Sequence, residues 1–234
     1  MAVTPDDYAV VAESFVAEHF PDAEVAVIGG SSSRGERTGT SDIDLLLIGD
    51  ALFDDSRTAM AATYAHRGEI FEVFAYTPEG FDDWARRGVA QHRPVIVHML
   101  VEGTAIRSGS ALDQLLARWT PVLAAGPSPT DEDLTTRRYV ITDVLDDLRD
   151  AEDPLERQVL AATLFERTSE LMLLTHRQWI GTGKYLPRRL RDWDRARTDA
   201  LAEPLLRGDH VGLADAVAVE LERAGGRVQA GFVR

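Results

Sequence analysis

The sequence predicts an α+β fold: a small mixed sheet flanked by helices, followed by an α-helical bundle. Three observations carry that expectation. Short apolar runs at 25–28, 43–48 and 69–76 each lead directly into a glycine or proline turn, as strands do. Gly126-Pro127-Ser128-Pro129-Thr130 is the strongest turn-rich break in the chain. Beyond that break every apolar pattern recurs at helical spacing. The expected division is therefore 1–126 and 127–234.

Taken in order, Thr4 is placed to cap a first helix, with Pro5 at its first position and Val10, Val11, Phe15 and Val16 as its apolar stripe. A strand over Val25–Ile28 runs into Gly29-Gly30. A second strand spans Ile43–Ile48, and its near-continuous apolarity says that both its faces are covered. A helix is expected over about Ser56–His66, a third strand over Glu69–Tyr76, and a short helix over Phe81–Arg87. Residues 95–101 fit a strand or a helix equally well. Thr104–Arg107 reads as a short strand and Ala111–Ala124 as a helix ending at Gly126. In the second half, helices are expected over Leu134–Leu148, from Asp153-Pro154 to about Ile180, over Arg188–Leu201 and over Asp209–Ala224.

Composition narrows the function classes. Hydrophobic residues make up 44% of the 234, enough for a sizeable core. No apolar run approaches the ~18 residues of a membrane span, and the N-terminus lacks the basic and apolar regions of a signal peptide. There is no cysteine, so disulfides and thiolate metal sites are excluded, which fits a cytoplasmic protein. A net charge of −14 disfavours long nucleic acids as partners and suits a metal ion or a cationic substrate. Lys184 is the only lysine beside 24 arginines.

Chemistry concentrates between residues 29 and 44. Gly30-Ser31 follows a strand directly. Glycine lets a backbone approach a phosphate, and serine adds a hydroxyl donor. Arg34 is a further phosphate donor or a partner for an acid such as Asp42. Asp42 and Asp44 alternate with Ile43, so on a strand both carboxylates leave the same face. Placed among apolar residues, such a pair costs free energy unless it binds something, and magnesium is the natural ligand.

The stretch Gly30-Ser31, Arg34-Gly35, Ser41-Asp42-Ile43-Asp44 resembles the nucleotidyltransferase superfamily of DNA polymerase beta, above all its antibiotic-modifying and minimal members. The resemblance is clearest over 24–76. It implies a catalytic domain over 1–126 and a helical substrate-binding domain over 127–234. It also implies a third carboxylate on a later strand. Glu72 fits that place, where many members have aspartate, and Glu69 would face the opposite side of the same strand. The implied reaction is attack on the α-phosphate of ATP or another nucleoside triphosphate, with pyrophosphate leaving and two magnesium ions held by Asp42, Asp44 and Glu72. Gly30, Ser31, Arg34, Ser41 and Lys184 would bind the nucleotide.

Lys184 lies in Trp179–Arg189, where glycine, aromatic and basic residues mix without the glycine spacing of a Walker loop. Related enzymes take a general base from the helical half, for which Glu166 and Glu170 are the candidates; a solvated helix face is the plainer reading of both. The expected acceptor is a small molecule, aminoglycoside-like by resemblance. The alternatives are an antitoxin-like enzyme that adenylylates a protein and a binding protein without catalysis. Some relatives share their site across a homodimer. His66, His92, His98 and His176 show no metal-ligand spacing and read as structural or surface residues.

Overall fold

The computed structural model describes residues 5–30 and 42–229. The chain divides into two compact units, Met1–Ala125 and Gly126–Arg234.

The first unit is built on a five-stranded mixed sheet. Helix α1 (Pro5–His19) is followed by β1 (Val25–Ile28), β2 (Ile43–Ile48), β3 (Ala59–His66) and β4 (Glu69–Tyr76). Then come α2 (Pro78–Ala90), α3 (Val95–Glu102), β5 (Thr104–Arg107) and α4 (Ser110–Ala125). The strand order is β3-β4-β2-β1-β5, and β2 with β4 is its parallel pair.

Strand alternation splits the core in two. Ile43, Leu45, Leu47, Phe71, Val73 and Ala75 point to one face, under Ala12, Phe15 and Val16 of α1. Phe15 stacks on Phe71 with ring centroids 4.4 Å apart. Leu46, Ile48, Val25, Val27 and Tyr76 point to the other, under Phe81, Val97, Leu112 and Trp119 of α2–α4. Covering both faces is why β2 is apolar almost throughout. The stripe of α1 is shifted from the expected one: Val10 is 67% exposed, and Ala12 takes its place at the i, i+3, i+4 spacing with Phe15 and Val16. Thr4, its expected cap, lies outside the described residues.

The expected helix over Ser56–His66 is instead strand β3. Four alanines, at 59, 61, 62 and 65, favour a helix locally. Cross-strand pairing overrides them. Arg67 and Gly68 both take positive φ (51° and 85°), the twist a tight two-residue hairpin demands, and this locks β3 against all eight residues of β4. Burial along β3 alternates accordingly. Residues 95–101, ambiguous in sequence, lie in helix α3.

The second unit is helical: α5 (Asp131–Asp150), α6 (Pro154–Thr175), α7 (Tyr185–Leu206) and α8 (His210–Arg223). Thr130 and Asp133 form a reciprocal capping box on α5, and Asp153 caps α6 ahead of Pro154. Helix α6 packs on each of the other three, and Leu171–Leu174 at its end are all buried.

Helix α6 stops at Thr175, short of the expected Ile180. Arg177 takes φ 56°, and the turn it makes tucks Trp179 and Ile180 into the core from a loop instead of from a helix face. Helix α7 is longer than expected and broken at Asp194 (φ −152°, ψ 96°), whose carboxylate accepts from the Arg197 amide at 3.0 Å and caps the second half.

Candidate active site

Strand β1 leaves the sheet at Gly29-Gly30, and both glycines are required by what they touch. The Gly29 amide donates to the Asp44 carbonyl at 2.9 Å, which ties the turn to β2. A Cβ on Gly29 would stand 2.9 Å from the Met99 Cγ of α3. Gly30 holds φ +65°, and a Cβ there would overlap the Asp44 carboxylate. The turn thus lies directly against Asp44, leaving room for the carboxylate and for little else.

Asp44 and Glu72 are register partners on the parallel strands β2 and β4. Neighbours in register share a face, so the two carboxylates project side by side. Both are half-buried. Asp42 lies one residue ahead of β2, on the same side by alternation, and is exposed. The shared face is the one roofed by α2–α4, at the end of β2 where β1 exits. Glu69 pairs with His66 and falls on the α1 side of β4.

Thr63 stands across from Glu72 on β3 and is exposed. Reading that segment as a helix hid this hydroxyl. The signal that reveals it is the Arg67-Gly68 turn between two runs of period two.

A carboxylate trio of this kind offers hard oxygen donors, which suit magnesium, and the absence of a side chain at Gly30 is what lets the Asp44 carboxylate sit against the turn. Ser31, Arg34 and Ser41 lie outside the described residues.

The remaining candidates lie in the helical unit. Lys184 is exposed at the start of α7, with its Nζ 5.5 Å from the centre of the Tyr185 ring; Arg188 stacks on the same ring at 5.5 Å. Gly181 shapes this loop, since a Cβ there would come within 2.5 Å of the Tyr185 carbonyl carbon. Glu166 is exposed on α6. Glu170, one turn on, is 1% exposed and receives the Arg137 guanidinium at 2.7 Å, with Arg167 at 3.7 Å.

A cleft of about 530 Å³ opens at the opposite end of the sheet, beside Val25, Ile48 and Asp50. Its Arg118 and Asp82 form an ion pair with each other.

Residues 12–94 match the family described as a nucleotidyltransferase domain. That span contains the glycine turn, both aspartates and Glu72. No curated protein matches the chain. Among solved structures the chain is similar to a nucleotidyltransferase-like protein from Exiguobacterium sibiricum 255-15, at 14% identity and a TM-score of 0.51. The alignment covers 92% of this chain and 75% of that one. At this identity the likeness is one of fold.

Proposed function

We propose, for a chain that carries a nucleotidyltransferase domain over residues 12–94, a magnesium-dependent transfer of AMP from ATP to a hydroxyl of a small molecule, with an aminoglycoside-like acceptor as the first to test. The observation that carries the reading is the register pairing of Asp44 with Glu72 beneath the Gly30 turn.

In the reaction, the acceptor oxygen bonds to the α-phosphorus while the bond from that phosphorus to the oxygen bridging to the β-phosphate breaks. The pair of electrons leaves with pyrophosphate, and the hydroxyl proton passes to a base. Asp42, Asp44 and Glu72 would hold magnesium, which supplies Lewis-acid stabilisation of the phosphate charge. Asp42 and Asp44 would hold the metal against the phosphates, and Glu72 would serve the acceptor hydroxyl. Gly30 lets the backbone close on the triphosphate, and Ser31, Arg34 and Ser41 supply donors. Lys184 serves as a point charge for the phosphate tail. Glu166 is the better base of the two glutamates on α6, because the charge of Glu170 is already matched by Arg137.

The test is incubation with α-labelled ATP, magnesium and a panel of aminoglycosides, followed by mass spectrometry for acceptors carrying an added AMP. An adduct that disappears with chelator and in Asp44→Asn and Glu72→Gln is the expected result. An adduct formed equally by those variants refutes the site. Label transferred to protein in a cell extract and to no small molecule replaces the acceptor with a protein.

A further inference from the structure

Outside the carboxylate site, the first unit brings together three side chains distant in sequence. Glu18 and His19 end α1, and His66 ends β3. One donor atom from each lies within 4.8 Å of the other two. The separations are 3.8 Å from His66 Nδ1 to Glu18 Oε2 and 3.9 Å from His19 Nε2 to Glu18 Oε1. The two imidazoles stand nearly perpendicular, with centroids 5.8 Å apart.

The three differ in freedom. His66 is buried, its side chain 7% exposed, and it is held edge-on against Phe15 and Phe71. Ser14 Oγ lies 3.3 Å from its Nε2. With the proton on Nε2 donated to that hydroxyl, the lone pair of Nδ1 faces Glu18. This is how an outer hydrogen bond fixes the tautomer of a ligating histidine. His19 and Glu18 are more open, at 34% and 62%. One donor is therefore anchored and two can adjust.

We propose that Glu18, His19 and His66 form a site for a divalent transition-metal ion of the zinc class, separate from the magnesium carboxylates. Two imidazole nitrogens and one carboxylate are the donor set such ions take with a fourth position left to water, and magnesium disfavours imidazole. Zinc–nitrogen bonds of about 2.0–2.1 Å in a tetrahedron set donors about 3.3 Å apart. The 3.8 Å from His66 Nδ1 to Glu18 Oε2 closes to that by rotation of the open Glu18 side chain, and His19, 3.9 Å from the other carboxylate oxygen, would turn to complete the set. The site lies on the α1 side of the sheet, whereas Asp44 and Glu72 lie on the other. A bound ion would join the end of α1 to the β3–β4 hairpin. The partners of His66 lie 47 and 48 residues back along the chain, a spacing that carries no motif, so the sequence alone reads His66 as structural or surface.

The experiment is calorimetric titration of zinc chloride into the chelator-treated full chain, with magnesium in excess to fill the carboxylates. The expected result is stoichiometric zinc binding that weakens about 10- to 100-fold in Ser14→Ala and at least as much in His19→Ala and Glu18→Gln, while Asp44→Asn binds as the parent does. The exposed His19 and Glu18 are chosen because His66→Ala removes a buried ring from the core. As a second readout, cobalt(II) develops a visible ligand-field band in the parent that His19→Ala lacks. Zinc binding unchanged in His19→Ala and Glu18→Gln, or lost in Asp44→Asn, overturns the proposal, as does the absence of binding.

Discussion

Replacing Gly30 with alanine isolates the link between the glycine turn and the carboxylates. An L-residue held at φ +65° costs about 1–2 kcal/mol in left-handed backbone strain. The new methyl also overlaps the Asp44 carboxylate, so either that carboxylate or the turn must move. Displacing a ligand's support lowers metal affinity by about 10- to 100-fold, or roughly 1.4–2.8 kcal/mol. Gly68→Ala is the matched control. Gly68 holds φ +85° and a Cβ there meets nothing within 4 Å, so only the strain term applies. Urea denaturation should show both variants destabilised, Gly30→Ala by at least as much as Gly68→Ala. Calorimetric titration of magnesium in the presence of a non-hydrolysable ATP analogue should show weakened binding in Gly30→Ala alone. Unchanged binding in Gly30→Ala, or an equal loss in Gly68→Ala, would refute the reasoning.

Two further expectations concern the helical unit. Arg137→Ala removes the 2.7 Å guanidinium partner of the buried Glu170 carboxylate, and should destabilise the protein by about 3 kcal/mol in urea; Arg137→Met with Glu170→Leu should recover most of that loss. A cost below about 1 kcal/mol in Arg137→Ala would mean that Arg167 suffices. The guanidinium of Arg227 beside Asp146 holds that carboxyl below its ordinary value, outweighing a smaller upward push from burial. A lowered folded-state pKa adds stability above the unfolded value, near 3.9, and loses it as pH falls through the folded value. Arg227→Ala should therefore lower the melting temperature slightly at neutral pH, with the difference from the parent shrinking below about pH 4; a difference that grows in acid would contradict the pairing. The pair is partly exposed, which limits its worth to less than about 1 kcal/mol.

Much of the fold was legible because local chemistry and tertiary demand agree. Pro154 marks a helix start, and the apolar run of β2 announces a central strand. Legibility failed where they disagree. The alanines of β3 favour a helix, and only the partner strand, which no local window contains, makes them extended. Helix α6 has helical residues beyond Thr175, and the core's need to bury Trp179 and Ile180 ends it sooner. Parity along one strand shows that Glu69 and Glu72 point apart. It does not say which of them neighbours Asp44, since that depends on the register of two strands separated by 20 residues of chain, Gly49 to Gly68.

The sequence by itself determined the class of the fold, the two-part division of its pattern, the glycine turn and the Asp42-Ile43-Asp44 alternation. These rest on spacing within a few residues, where backbone geometry translates directly into direction. Tertiary structure alone decided that Glu72 stands beside Asp44, that Gly30 lies against that carboxylate, that Glu170 is bound to Arg137, and that His66 meets Glu18 and His19. The physical reason is common to all four. Each is a meeting of side chains on different elements or distant turns, and which atoms meet is set by strand register and helix packing, which are properties of the whole core.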